Sequence, residues 1–174
     1  RGGSIHRGSA GSGSWTSTIT SLGTPTQNYE HRLFNFDGTD KIVITTGTSN
    51  PQILNTSFST SVVNATGTSN FKFVEIFKNH IFFAGHSSNI QEVSFMGPNQ
   101  TNDFTSNNGG GTIKVDAEIV GLRAFRDSLI IFGKDKIFKL TGSSSSNFAV
   151  TPITRNIGCT DGRSIQELGG DVIF

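Results

Sequence analysis

The side chains that could do chemistry are few in this 174-residue sequence, and they are scattered. Most carboxylates of interest fall in polar segments between apolar runs: Asp37, Asp40, Asp103, Asp127 and Asp135. Glycoside hydrolysis needs two carboxyl groups that face each other across a cleft, and covalent catalysis needs a nucleophile beside a base. No Gly-x-Ser-x-Gly turn leads into a helix, and the single cysteine has no neighbouring motif. We therefore predict no catalytic residues and no enzymatic activity.

The four histidines do not have the spacing of a metal site. His80 and His86 bracket one apolar run, and six residues of strand at about 3.3 Å each would hold them roughly 20 Å apart. His6 and His31 have no ligand-type neighbour in the sequence. Residues 37–40, DGTD, have oxygen ligands, but an apolar run follows where a calcium loop would need more of them. We expect turn histidines, a hydrogen-bonded turn at residues 37–40, and no metal or other cofactor.

Short strands must position these residues. Residues 120–142 contain three apolar runs, at 122–125, 129–132 and 137–140, separated by the polar turns RDS and GKDK. Runs this short with turns this tight are typical of a three-stranded antiparallel meander.

The same pattern recurs along the chain. An aromatic residue, a polar turn, an apolar run and a glycine are found in FRDSLIIFG at 125–133 and in FKNHIFFAG at 77–85. The first residue of the apolar run in the four copies is Ile42, Ile81, Leu129 and Val172. A period of about 40 to 50 residues, with several strands and no helix in each repeat, is typical of a β-propeller.

The sequence thus predicts an all-β fold, a β-propeller-like array of three- to four-stranded antiparallel blades. Residues 29–174 form a partial propeller with repeats near 29–70, 71–118, 119–162 and 163–174. The Gly/Ser/Thr-rich residues 1–28 are interpreted as the end of a preceding blade, with a disordered linker as the alternative. Because the chain begins without Met and ends inside a predicted strand, we expect it to be a fragment of a larger propeller.

Charge and hydropathy argue against two classes of partner. Lysine and arginine number 14 against 13 acidic residues, so no electrostatic case exists for nucleic acid. Five basic residues lie between 123 and 139, but Asp127 and Asp135 are interleaved with them, which favours a solvated strand face over nucleic-acid contact. No apolar run approaches the roughly 18 residues that a membrane helix requires.

The best candidate for a partner-contacting surface is the polar tract at residues 98–112. Tracts this long without strands are usually functional or mobile. Its three glycines are not followed by the Lys-Ser/Thr and helix of a phosphate loop. We expect Phe104 to pin the tract to a sheet. The candidate contact residues are Asn99, Gln100, Thr101, Asn102, Asp103, Asn107 and Asn108.

Several stretches resemble virion structural proteins of tailed bacteriophages: IVGLRAFRDSLIIF at 119–132, IFKLTG at 137–142, NIGC at 156–159, FKNHIFFAG at 77–85 and NDFT at 102–105. The resemblance covers about residues 29–174 and rests on structural motifs that specify blades. It implies similarity to the β-propeller parts of tail tubular (nozzle) proteins and of tail- or baseplate-associated proteins. It further implies a location in the virion, with other tail proteins and copies of the same chain in a symmetric homo-oligomer as partners.

Two functions of different classes follow as expectations. The first is a non-enzymatic assembly protein of a phage tail, a rigid β scaffold whose loops contact neighbouring virion subunits. The alternative is a carbohydrate-binding or carbohydrate-active propeller, which needs paired carboxylates or a platform of exposed aromatic rings. The scarcity of carboxylates and the presence of one Trp and one Tyr favour assembly.

Overall fold

The computed structural model describes residues 5–8, 11, 13–19, 29–63 and 70–174. Within them the chain is all-β, as predicted, with two short 3-10 helices, Ser106–Asn108 and Gly162–Ser164, and no α-helix. The strands are β1 (Ile5–Gly8), β2 (Trp15–Ile19), β3 (Glu30–Phe34), β4 (Lys41–Thr45), β5 (Gln52–Asn55), β6 (Thr60–Val62), β7 (Phe73–Phe77), β8 (His80–Ala84), β9 (Glu92–Phe95), β10 (Gly111–Lys114), β11 (Ile119–Phe125), β12 (Ser128–Gly133), β13 (Ile137–Thr141), β14 (Ala149–Thr154), β15 (Gln166–Leu168) and β16 (Asp171–Ile173).

These strands form three four-stranded antiparallel sheets and two hairpins. Sheet 1 contains β3 to β6, sheet 2 contains β7 to β10 and sheet 3 contains β11 to β14, each in sequence order. The N-terminal hairpin pairs β1 with β2, and the C-terminal hairpin pairs β15 with β16. The prediction of antiparallel sheets of three or four strands is confirmed. Of the predicted segment 1–28, residues 1–4, 9, 10, 12 and 20–28 lie outside the described part of the chain.

The hairpins that open sheets 2 and 3 turn more tightly than predicted. In both, two residues connect the strands, because Phe77 pairs with His80 and Phe125 pairs with Ser128. Lys78 has a φ of 45° and Arg126 a φ of 53°. Two-residue turns with positive φ match the right-handed twist of the strands, which explains why the shorter connection forms. The expected three-residue turns were therefore wrong by one residue, and His80 belongs to β8.

The sheets stack face to face in chain order, and apolar side chains fill each space between them. The side chains of β8 alternate: Ile81 and Phe83 pack with sheet 1, whereas Phe82 and Ala84 pack with sheet 3. Strand β12 repeats this alternation, because Ile131 packs toward sheet 2 and Ile130 packs toward the C-terminal segment. Both faces of the central strands are therefore buried, which explains why their sequences are continuously apolar.

The repeat seen in the sequence coincides with a structural repeat. Ile81 and Leu129 both face the preceding sheet. Ile42 packs with Ile5 of the N-terminal hairpin, and Val172 packs against the cluster that contains residues of sheet 3. Each marker residue is the second residue of its strand, β4, β8, β12 and β16 respectively.

The first strands of the three sheets lie side by side. Strand β7 contacts both β3 and β11, and β11 in turn contacts the short 3-10 helix that precedes the C-terminal hairpin. The fourth strands, β6, β10 and β14, form the opposite edges of their sheets. The residues carried by the adjoining first strands therefore meet between sheets.

Candidate functional site

The predicted contact loop connects β9 to β10 and is organised around the carboxylate of Asp103. One oxygen accepts hydrogen bonds from the backbone N–H of Thr105 at 2.8 Å and from its hydroxyl at 2.7 Å, and the other accepts from the amide of Asn108 at 2.5 Å. These bonds, those from Thr105 first, hold the pKa of Asp103 below its ordinary value. Asp103 is therefore the internal anchor of the loop, and its oxygens are occupied within the loop.

Phe104 fixes the loop to the sheet, as predicted. Its ring packs against the cluster between sheets 1 and 2, with centroids 5.8 Å from Phe83 and 6.5 Å from Phe71. The glycines that follow allow the backbone to close over it. A Cβ on Gly110 would lie 2.5 Å from the carbonyl carbon of Phe104, and Gly109 has a φ of 82°. The loop therefore depends on glycine for its close approach and for its left-handed residue.

The other predicted contact residues lie on the outer side of this loop. Asn99, Gln100, Asn102, Asn107 and Asn108 are exposed, whereas Thr101 and Asp103 are half-buried. The N–H of Asn99 donates to the carbonyl of Asn79 in the β7–β8 turn at 2.8 Å, which ties the loop to that turn. The result is a firmly held polar surface rich in amides.

A second group of polar residues, which sequence analysis missed, lies where the first strands adjoin. Glu75 on β7 accepts from Arg32 Nε on β3 at 3.0 Å and lies 3.9 Å from Arg123 Nη1 on β11. Arg123 also donates from Nη2 to the carbonyl of Ile165 at 3.3 Å. Glu30 on β3 accepts from the N–H of Val74 at 2.9 Å. This inner charge cluster, Glu30, Arg32, Glu75 and Arg123, links three consecutive sheets.

The cluster contains two carboxyl groups, as a catalytic pair does, but the carboxylate of Glu75 is shielded from solvent. Burial raises the pKa of Glu30, opposed by the Val74 N–H and by Arg32. Glu75 is buried, and both its Oε2 and the Nε of Arg123 are sealed from solvent without a hydrogen-bond partner. A substrate cannot reach these atoms, so the cluster is interpreted as a connection between sheets. Its sequence signal was a charge inside an apolar strand, as in FVEIF of β7.

His80 and Cys159 also occupy positions that sequence analysis did not foresee. His80 is fully buried in β8. His6 lies in β1 and His31 in β3, so the expectation of turn histidines was wrong for all three. Its Nδ1 lies 2.6 Å from the carbonyl of Lys78, its Nε2 has no partner, and Phe148 contacts its ring edge-on. Burial lowers the pKa of His80, opposed by the bond to Lys78. The buried Cys159 thiol donates to the carbonyl of Asp161 at 3.2 Å.

The basic residues between 123 and 139 are largely engaged with acids. Lys134 pairs with Glu118 at 2.7 Å and Lys136 pairs with Asp116 at 2.5 Å. Arg123 belongs to the inner charge cluster described above. Arg126 instead donates from Nη2 to the carbonyl of Gly170 at 2.9 Å.

The described part of the chain offers little to a small molecule or a metal ion. A shallow depression of about 170 Å³ lies beside residues 88–92 and Lys114. The described residues contain no group of three or more His, Cys, Asp or Glu side chains placed to hold a metal ion. Among the same residues, no helix is long and apolar enough to cross a membrane.

Comparison with known proteins adds no family to this description. No model of a known protein family matches the chain, and no curated protein matches it.

Proposed function

We propose that this chain is a non-enzymatic assembly module built as consecutive blades of a β-propeller. The observation that carries the proposal is the stacking of equivalent four-stranded sheets, with both faces of β8 and β12 buried and with the first strands adjoining. Stacking of this kind supports a rigid scaffold, since no strand of the core can move without disturbing two neighbouring sheets.

The loop anchored by Asp103 is proposed as the surface that contacts neighbouring subunits. It presents exposed amides that can donate and accept hydrogen bonds, on a backbone already fixed by Phe104 and by the bond to Asn79. A surface that is ordered before binding loses little conformational entropy on association. The proposed setting is the tail of a phage particle, which rests on the resemblance of the sequence to tail proteins.

The proposed location in a phage tail can be tested on particles purified from the source of this chain, by mass spectrometry and cryo-electron microscopy. We expect the chain in stoichiometric amounts, with residues 98–112 at a contact between subunits. Its absence from particles would overturn the location.

A variant tests the contact loop in the same particles. Asn107→Arg should lower the yield of assembled particles while leaving the circular dichroism of the isolated chain unchanged. Asn156→Arg, at another exposed amide outside the loop, is the matched control. Equal yields for the two variants would contradict a role for this loop.

A further inference from the structure

A buried histidine lies between sheets 2 and 3, at the end of the sheets where the contact loop leaves them. His80 is the first residue of β8 and is fully buried. The centroid of its ring lies 6.1 Å from that of Phe95, the last residue of β9. It lies 5.2 Å from the centroid of Phe148, which belongs to the loop between β13 and β14, residues 142–148. His80 is therefore enclosed by side chains of both sheets.

The ring of His80 accommodates one proton but not two. Its Nδ1 lies 2.6 Å from the carbonyl of Lys78, and because a carbonyl only accepts, Nδ1 carries the proton. Its Nε2 is shielded from solvent and has no hydrogen-bond partner among the described residues. The neighbouring rings of Phe82, Phe95 and Phe148 offer no acceptor to a second N–H. A protonated His80 would therefore be a buried charge with an unsatisfied donor, which is strongly unfavourable.

The charged groups near His80 are already engaged with other partners. Those on the same face of β7 or on the adjoining turns and loops are Glu75, Lys78, Asp103, Arg126 and Asp127. Glu75 pairs with Arg32, Lys78 pairs with Asp127 at 3.3 Å, and Arg126 donates to a backbone carbonyl. The oxygens of Asp103 accept hydrogen bonds within the contact loop. Burial lowers the pKa of His80, opposed only by the hydrogen bond to the Lys78 carbonyl.

Phe148 is the member of this aromatic group that strand pairing does not hold. Phe82 and Phe95 are buried in paired strands, whereas Phe148 is half-buried and lies one residue before β14. Its N–H donates to the carbonyl of Ser144 at 3.0 Å, within the β13–β14 loop. Movement of this loop therefore carries the Phe148 ring with it and opens a path for water to His80.

The β13–β14 loop also adjoins the contact loop. A Cβ on Gly109 would lie 3.7 Å from Ser145 Oγ, so the two loops lie side by side. The turn before His80 is bonded to the contact loop as well, because the carbonyl of Asn79 accepts from the N–H of Asn99 at 2.8 Å. The elements around His80 thus reach the surface that we propose for contact with other subunits.

We propose that His80 and Phe148 form a pH-sensitive switch beneath this surface. Protonation of His80 is coupled to outward movement of Phe148 and of the β13–β14 loop, because water then accepts from the second N–H. The neutral ring keeps Phe148 in place and the two loops side by side. The consequence for subunit contact rests on the proposed function, whereas the switch itself is a property of the isolated chain.

The sign of the pH dependence follows from burial. In the open state His80 meets water and has its ordinary pKa of 6.5, whereas in the closed state its pKa is lower. The closed state is therefore fully favoured above pH 6.5, and the open state gains as pH falls below that value. Its population should rise by at most about tenfold for each pH unit, until the pKa of the closed state is reached.

Hydrogen exchange of the isolated chain between about pH 7.5 and 5 tests this coupling, with protection expressed relative to an unstructured peptide at the same pH. We expect the amides of Asn147 and Phe148, both bonded to Ser144, to be less protected than those of β8 and to lose protection below pH 6.5. His80→Leu should remove this pH dependence. Protection of the two amides that equals that of β8, or that does not change with pH, would overturn the proposal.

Titration of the His80 ring by nuclear magnetic resonance gives an independent measurement in chains that keep the histidine. Phe148→Ala should raise the pKa of His80 toward 6.5, because the ring then meets water. Phe104→Ala is the matched control, since Phe104 is also a half-buried loop residue but packs on the opposite face of sheet 2. The same titration in Phe148→Ala and in the parent chain would overturn the switch. Neither measurement involves particles, so its failure is distinguishable from failure of the proposed function.

Discussion

Single residues carry the evidence that sheets cover both faces of the central strands. Phe82 and Ile131 lie in the space between sheets 2 and 3, and Ile130 lies in the space beyond sheet 3. In an open sheet or a two-layer sandwich, the side chains on one of the two faces of each strand would be exposed to solvent.

Shortening a buried side chain on either face of these strands should therefore destabilise the protein. We expect Phe82→Ala, Ile130→Ala and Ile131→Ala each to lower the free energy of unfolding by roughly 2–5 kcal/mol, because each leaves a cavity. Urea unfolding measures this, with the exposed Thr112→Ala as a control that should stay within about 0.5 kcal/mol. A near-neutral effect at Ile130 or Phe82 would mean that the sheets are not stacked.

His80 should make stability sensitive to acid. Its folded pKa is lowered by burial, so the folded protein favours the neutral ring, and this contribution is complete above the unfolded pKa of 6.5. As pH falls below 6.5 the unfolded state binds a proton that the folded state excludes. Stability is then lost by at most about 1.4 kcal/mol per pH unit, until the folded pKa is reached.

Unfolding measured between pH 7.5 and 5 tests this dependence. His80→Leu should flatten the profile in this range, whereas the exposed Thr112→Ala, which changes no titratable group, should leave it unchanged. Parallel profiles for the parent chain and His80→Leu would show that another group causes the loss.

At the scale of elements, first strands are joined by charge as well as by apolar packing. Glu75 on sheet 2 forms ion pairs with Arg32 on sheet 1 and with Arg123 on sheet 3. Removing one partner from a buried ion cluster leaves an uncompensated charge, and this usually costs more than removing the partners together.

A double-mutant cycle should reveal this coupling. Glu75→Leu should destabilise the protein by about 3 kcal/mol, and adding Arg32→Met should cost less than its effect in the parent chain. The exposed pair of Lys136 and Asp116 is the control and should show a much smaller coupling. Additive effects of Arg32→Met and Glu75→Leu would mean that the inner cluster does not connect the sheets.

The contact loop should lose its order without its carboxylate. Asp103→Ala leaves the N–H of Thr105 and the amide of Asn108 without their acceptor. Hydrogen exchange should accelerate across residues 97–110 and remain slow in β8 and β12. Asp127→Ala, whose parent side chain is almost fully exposed, is the control. Unchanged exchange in the loop would show that Phe104 and the glycines are sufficient to hold it.

At the scale of the whole molecule, Glu75 is buried where the first strands adjoin, and its Oε2 is sealed from solvent. We expect no release of reducing ends from a panel of polysaccharides incubated with the chain. Turnover that disappears in Glu75→Gln would identify the inner charge cluster as an active site, and turnover that disappears in Asp103→Asn would assign it to the contact loop.

The local pattern of the sequence determined the strands, the repeat and the antiparallel pairing. Turns of two to four residues force consecutive strands to be neighbours, and continuously apolar runs such as residues 81–84 require burial on both faces. The Phe104 anchor was predictable for a similar reason, because one aromatic residue in a long polar tract has to find an apolar surface.

Only the tertiary structure decided which distant residues meet. Arg32, Glu75 and Arg123 come from three separate repeats, and nothing local to any of them specifies the other two. Because His80 is polar, the sequence pattern assigned it to a turn. The twist of the hairpin favours a two-residue connection, so His80 becomes the first residue of β8 and is buried in the core. Burial depends on what packs against a face, and strand pattern alone does not contain that information.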